Sequence, residues 1–130
     1  MSKAHDKLIG PVPSRIVNAA RLIVTAYEGR VAEYNVAYWL QLPGLANLPI
    51  SLMVTYRDGD KQREVNVDHG TTNAHGKILL SGIGRLPVKV KIEDMQVKLR
   101  SAVPVQSLIV EELFVQAVEM AEADNRQALA

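Results

Sequence analysis

Short period-two segments dominate the chain between Val31 and Val118, and Gly, Pro or Asp interrupts them at almost regular intervals. β-Branched residues at alternating positions suit a pleated strand with one buried face, and the interrupting residues are typical of turns. The chain has 130 residues, of which 48% are hydrophobic, so it can bury one core. The pattern therefore predicts an all-β fold, a single-domain antiparallel β-sandwich.

The centre of the chain gives the clearest strand predictions. Residues 50–56 and 63–67 alternate on either side of Asp58-Gly59, a dipeptide that favours a tight hairpin turn. Residues 88–92 alternate apolar and basic side chains, which predicts a strand with one wet face. We expect the preceding Gly82 and Gly84 to lie in a loop.

Two segments fit both a helix and a strand. Residues 14–27 carry an apolar helical stripe behind Ser14, but their second half is also a β-rich run that stops at Gly29, and we favour a strand there. Residues 108–118 have the same ambiguity, and we interpret them as a strand to about Gln116. The predicted organisation is an extended N-terminal arm over 1–14, a sandwich domain over 15–118 and a polar C-terminal tail over 119–130.

The composition and the absence of known catalytic motifs limit the classes of function that we expect for the chain. The 15 basic and 14 acidic residues are spread along the chain, so we expect no nucleic-acid or membrane partner. The chain has no cysteine, which excludes disulfides and thiolate sites. The N-terminus has no apolar signal-peptide core, and no stretch reaches the roughly 18 to 20 apolar residues of a membrane span. The compartment stays open: the cytoplasm is the default, and export without a signal peptide or a processed form are the alternatives. No hydrolase, phosphate-loop or zinc-protease motif is present, and we expect no enzymatic activity.

Four segments resemble the galactose-binding-like jelly rolls, notably carbohydrate-binding modules. Residues 32–41 (AEYNVAYWLQ) are similar to their Y-x-V-S-x-W-V-K strand, and residues 50–59 to their V-x-L-x-V-x-Y-x-D-G hairpin. Residues 71–82 (TTNAHGKILLSG) resemble the T-x-x-G-x-W-x-x-L-S-G strand, and residues 108–115 (LIVEELFV) the closing strand. The resemblance implies a jelly-roll topology, a core position for Trp39 and a carbohydrate ligand.

Two sets of side chains are candidates for ligand or metal binding. Tyr34, Tyr38 and Tyr56 could form a stacking platform for a sugar, or they could belong to the core. Asp68, His69 and His75 form a local cluster of metal-capable groups near one turn, where polar residues also serve the loop backbone. The resemblance adds Glu111 and Glu112, because an acidic residue at that place helps to hold a structural Ca²⁺ in the modules; plain surface charge is the alternative. No other cofactor is expected.

The segment from Leu42 to Ile50 is unusually apolar for a connection between strands. Its large aliphatic side chains are Leu42, Leu45, Leu48 and Ile50. They either fold back over the end of the sandwich or face outward as an interface between copies of the chain. We expect a non-catalytic module that acts in assembly and self-associates, with a carbohydrate-binding module as the alternative.

Overall fold

The computed structural model describes residues 4–27 and 29–118, and within them it contains eight strands and one four-residue helix. In chain order the elements are β1 His5–Pro11, α1 Ser14–Val17, β2 Ile23–Thr25, β3 Gly29–Gln41, β4 Pro49–Asp58, β5 Lys61–Thr71, β6 Lys77–Pro87, β7 Ile92–Ser101 and β8 Ile109–Ala117. No helix in these residues is long and apolar enough to cross a membrane.

The strands form two antiparallel sheets that face each other. Sheet A has the order β1-β7-β4-β5. Sheet B is built on β3, which pairs with β6 along one side and with β2 and β8 along the other. The predicted all-β sandwich is confirmed, whereas this strand order does not by itself establish the jelly-roll topology that the resemblance implies.

The core lies between the sheets and follows the alternation of the strands. On β3 the inward side chains include Tyr34, Val36, Tyr38 and Leu40, all buried. Sheet A meets them with buried side chains that include Leu52, Val54, Tyr56, Val97 and Leu99. Burying each large aliphatic side chain contributes about 1.5 to 3 kcal/mol, so this layer supplies most of the stability of a chain without disulfides.

The two ambiguous segments and the arm are now assigned. Residues 14–17 form α1, and the strand favoured in the second half of the segment is confirmed as the short β2. β8 confirms the strand predicted to about Gln116. Within the segment predicted as an N-terminal arm, His5–Pro11 forms β1, which pairs with β7 as the edge strand of sheet A. The predicted tail over 119–130 lies outside the described residues.

Gly82 and Gly84 lie inside strand β6, so the prediction of a loop there is wrong. A Cβ atom on Gly82 would sit 2.8 Å from the carbonyl oxygen of Val67 on β5. The glycines therefore serve close packing rather than a turn, because they let the edge of sheet A approach the edge of sheet B. At the same place the backbone N–H of Ser81 donates to Oδ2 of Asp68 at 2.9 Å, which ties β6 to β5.

Residues 88–91 are also not a strand, because β7 begins only at Ile92. The loop instead wraps around the carboxylate of Asp58, whose side chain is 1% exposed. Oδ2 accepts from the Lys89 N–H at 2.9 Å, and Oδ1 accepts from the N–H groups of Val90 and Lys91 at 2.8 and 3.1 Å. Because these three amides bind the buried carboxylate, they cannot form the backbone hydrogen bonds of a β-strand. The alternating sequence pattern does not reveal this.

Arg63 completes the surroundings of Asp58. Its Nε donates to Oδ2 at 3.0 Å from the other strand of the β4–β5 hairpin. Burial is the largest single influence on the pKa of Asp58 and raises it, but the three amides and Arg63 together outweigh burial, so the pKa lies below its ordinary value. The hairpin itself turns at Gly59 with a positive φ of 65°, which confirms the turn predicted from Asp58-Gly59.

Candidate functional site

The three tyrosines proposed as a sugar platform are core residues. Tyr34, Tyr38 and Tyr56 are all buried. The hydroxyl of Tyr34 donates to the Val17 carbonyl oxygen at 2.7 Å, and that of Tyr56 donates to the Pro87 carbonyl oxygen at 2.7 Å. Burial raises the pKa of Tyr34 and of Tyr56 to about 12. No ring of the three is open to a ligand, so the expected stacking platform does not form.

The apolar segment from Leu42 to Ile50 closes one end of the sandwich. Leu42 and Ile50 are buried, and Leu45 and Leu48 are partly buried against the same core. Thr72 fastens the segment, because its hydroxyl donates to the Leu45 carbonyl oxygen at 2.6 Å and accepts from the Leu48 N–H at 2.8 Å. These side chains pack against the core of their own chain. The exposed apolar surface of the molecule lies elsewhere and does not coincide with the interface predicted for this segment.

The residues proposed as metal ligands do not converge. Across residues 4–27 and 29–118 no group of three His, Asp or Glu side chains could hold a metal ion. The two carboxylate oxygens of Asp68 accept from the backbone N–H groups of His69 and Ser81, and His75 is exposed in the turn before β6. Glu111 pairs with Nζ of Lys77 at 3.5 Å. Asp68 therefore serves the backbone, and Glu111 balances a surface charge.

The outward surface of sheet B carries a patch of large apolar side chains, which we call the apolar face. Register places Trp39 of β3 opposite Leu79 of β6 on one side and Glu112 of β8 on the other. Phe114 lies opposite Ala37, and Ile83 lies opposite Asn35. The apolar face consists of Ala37, Trp39, Leu79, Ile83, Ile109 and Phe114, of which all but Ala37 are exposed.

Trp39 is the largest member of the apolar face and was expected in the core. It is 40% exposed. The alternation along β3 is as predicted, with the tyrosines on one surface and Trp39 on the other, but the resemblance assigned the wrong surface to the interior. The tyrosine surface is buried because it faces sheet A, and the indole is left at the centre of the outer surface of sheet B.

Mixed-charge pairs border the apolar face at its two ends. Arg85 of β6 pairs with Glu33 of β3 at 3.2 Å beyond Ile83, and Lys77 reaches across β3 to Glu111 of β8 beyond Leu79. The outer surface of sheet A is different, because the guanidinium of Arg100 bridges Asp6 and Glu64 there with contacts of 2.8 to 3.0 Å. The outer surface of sheet B thus combines an apolar patch with charged pairs at its ends, whereas the ion pairs of Arg100 mark that of sheet A.

The sandwich is closed along β5 and β6 but open along β1 and β8. A cleft of about 590 Å³ lies on the open side, lined in part by Leu8 and Ile9 of β1 and by Leu108 to Val110 at the start of β8. Leu113 sits on the inward surface of β8, yet it is 56% exposed. The exposure shows that sheet A does not cover β8, so this strand presents apolar side chains on both surfaces.

Comparison of the chain with protein-family models, with curated protein sequences and with solved structures finds no match. The two-sheet fold agrees with the predicted β-sandwich, but identification of the chain as a carbohydrate-binding module is not supported.

Proposed function

We propose that the protein is a non-catalytic assembly module that self-associates through the apolar face of sheet B. The observation that carries this proposal is the position of Trp39, Leu79 and Phe114 on one outward surface. An antiparallel sheet with one buried surface normally alternates apolar inward and polar outward residues, and each of the three long strands departs from this at one or two outward positions, Trp39 on β3, Leu79 and Ile83 on β6, and Ile109 and Phe114 on β8. Large exposed apolar patches of this kind mark interaction sites.

The chemistry of the patch resembles the centre of a protein interface. Aromatic and aliphatic side chains predominate in its middle, where Glu112 and Ser81 are interspersed, and charged pairs occupy its ends, which approaches the arrangement of an apolar core and a polar rim. A Trp at the centre of such a patch is the residue type that most often dominates binding energy.

A second copy of the chain is the occupant that the charges favour. Each end of the apolar face carries one cation and one anion, Arg85 with Glu33 and Lys77 with Glu111. A two-fold axis that lies between the two stacked faces, perpendicular to the strands, places the Arg85–Glu33 pair of one copy over the Lys77–Glu111 pair of the other. No net like charge is then brought together. A strongly acidic or basic partner gains nothing from such a rim.

The mass of the protein in solution tests the proposal. We expect the wild type to be an oligomer by multi-angle light scattering, and Leu79→Glu with Ile83→Glu to yield a smaller, folded species, since acidic groups then oppose each other across the face. Val24→Glu is the matched control, because Val24 is 79% exposed but lies on the short β2 outside the apolar face. A monomeric wild type, or a double variant with unchanged mass, overturns the proposal.

Carbohydrate binding is the second candidate, and it is favoured by one observation. Trp39 and Phe114 lie diagonally across neighbouring strands and are both exposed, so they offer the aromatic surface that the buried tyrosines do not. Titration of tryptophan fluorescence with soluble oligosaccharides tests it. Saturable quenching that Phe114→Ala weakens, in a wild type that remains monomeric, would replace self-association by glycan binding.

A further inference from the structure

We infer that two copies of the chain join through their β8 edges, antiparallel to each other and with the two-fold axis at Phe114, to make one continuous sheet in the order β6-β3-β8-β8-β3-β6. The inference deepens the proposed self-association and rests on it. Pairing of edges and stacking of apolar faces use different atoms, so one can fail without the other.

The register of β3 and β8 shows which backbone groups of β8 are free. The Val118 N–H donates to the Glu33 carbonyl oxygen at 3.0 Å. Hydrogen-bonded positions recur at every second residue of an antiparallel pair, so Gln116 and Phe114 also direct their N–H and C=O groups toward β3. Leu113 and Val115 direct theirs to the other side, where no strand of the described part of the chain pairs with β8.

The first part of β8 carries Glu111 and Glu112, and α1 contacts the strand, but its later residues lack the charges that usually guard an edge against pairing. Edge strands are normally guarded by charged residues, proline or a covering segment. Residues 113–117 of β8 (LFVQA) contain no charge and no proline, and Leu113 remains 56% exposed on the surface that would otherwise face the core. Along β1 the charged residues Asp6 and Lys7 are followed by Pro11, so this edge strand carries both kinds of guard.

The area of the apolar face favours edge pairing in addition to face stacking. Three strands spaced by about 4.8 Å, over the nine residues of β8 at about 3.4 Å per residue, give the apolar face a flat area of about 440 Å². A stable interface covers about 800 Å² on each partner, so one face alone would support only a weak, concentration-dependent dimer. Two faces made continuous by β8 pairing reach that size, and two such dimers can then stack to form a tetramer.

Charge and the matching of side chains together favour one register of the β8 pair. An axis at Glu112 would set two carboxylates opposite each other, and an axis at Leu113 would set Glu112 against the phenyl ring of Phe114. An axis at Phe114 places the two phenyl rings side by side, Leu113 opposite Val115 and Glu112 opposite Gln116. Leu113 and Val115 then exchange the free backbone hydrogen bonds, and the carboxylate meets an amide that can donate to it.

Single-cysteine variants test this register cleanly, because the chain has no cysteine of its own. Opposed residues at a non-hydrogen-bonded position have Cα atoms about 4.5 Å apart, within the range of a disulfide. Phe114→Cys should therefore form a covalent dimer on mild oxidation. Glu112→Cys alone and Gln116→Cys alone should not, because each would lie about 14 Å from its own copy, but an equal mixture of the two should cross-link.

The outcomes separate the two levels of association. Cross-linking at 114 and in the mixture, retained in the Leu79→Glu, Ile83→Glu background as a dimer, supports edge pairing. An oligomeric wild type with no cross-link in either case overturns edge pairing and leaves face stacking intact, whereas a monomeric wild type overturns both. Hydrogen exchange on the wild type gives the same answer without substitution: protection of the Leu113 and Val115 amides supports pairing, and rapid exchange beside a protected Phe114 amide contradicts it.

Discussion

Trp39 on β3 lies directly opposite Leu79 on β6, and both side chains point away from the core. Directly opposed residues are the contacts that stabilise a sheet, and here the pair also supplies the centre of an exposed apolar surface. The relationship links the fold to the proposed function, since the same alternation that buries Tyr38 and Leu40 leaves the indole outside.

Trp39→Ala should cost little stability in the folded monomer. In the Leu79→Glu, Ile83→Glu background we expect a loss of less than about 1 kcal/mol in the free energy of unfolding, because the side chain is already exposed. Leu52→Ala, at a fully buried position, should cost about 2 to 5 kcal/mol in the same urea titration. If Trp39→Ala lowered the free energy of unfolding as much as Leu52→Ala does, the indole would have to be packed inside the sandwich.

Asp58→Asn should destabilise the protein at neutral pH by about 2 to 3 kcal/mol, the scale of hydrogen bonds to a charged group. The pKa of Asp58 lies below its ordinary value, so the carboxylate stabilises the fold above the pKa of the unfolded chain, about 3.9, and this contribution is lost as the pH falls through the lower folded-state pKa. Urea titrations of both proteins between pH 7 and pH 2 should converge only at the acid end. A constant difference would show that the charge is not responsible.

Tyr34→Phe should cost about 1 kcal/mol, because it removes the hydrogen bond to the Val17 carbonyl oxygen that holds α1 against sheet B. The raised pKa, about 12, means that the neutral phenol stabilises the fold below pH 10 and that this contribution is lost as the pH rises from about 10 to 12. Thermal unfolding across that range should show the wild type losing more stability than the variant. Equal slopes would contradict the buried position of the hydroxyl.

Gly82→Ala should cost about 1 to 3 kcal/mol, since the new methyl group would meet the Val67 carbonyl oxygen at 2.8 Å. Gly10→Ala is the matched control, because a Cβ atom there meets nothing within 4 Å. Comparing their denaturation midpoints tests the close approach of β5 and β6. Equal effects for the two substitutions would argue against it.

The sequence predicted those parts of the fold that depend on local chemistry. The hairpin at Asp58-Gly59 followed from turn residues between alternating runs, and the two surfaces of β3 followed from its period of two. The pattern could not say which surface faces inward, because that depends on where sheet A packs. It left Tyr38 open between core and ligand platform, and the resemblance placed Trp39 in the core, which is wrong.

The remaining errors also arose from contacts distant in sequence. Residues 88–91 alternate like a strand, but the carboxylate of Asp58, thirty or more positions earlier, binds their amides. Gly82 has the appearance of a loop residue until the approach of Val67 is known. The signal for the apolar face was present in the sequence, since Ala37, Trp39, Leu79, Ile83 and Phe114 each occupy the outward phase of an alternating strand.

The mass of the wild-type protein, measured by light scattering at micromolar concentration beside the Leu79→Glu, Ile83→Glu variant, tests the central claim most directly. We predict a tetramer for the wild type, a folded dimer for the double variant and no change for Val24→Glu. A wild type with the mass of a single chain at every accessible concentration would contradict self-association through the apolar face of sheet B.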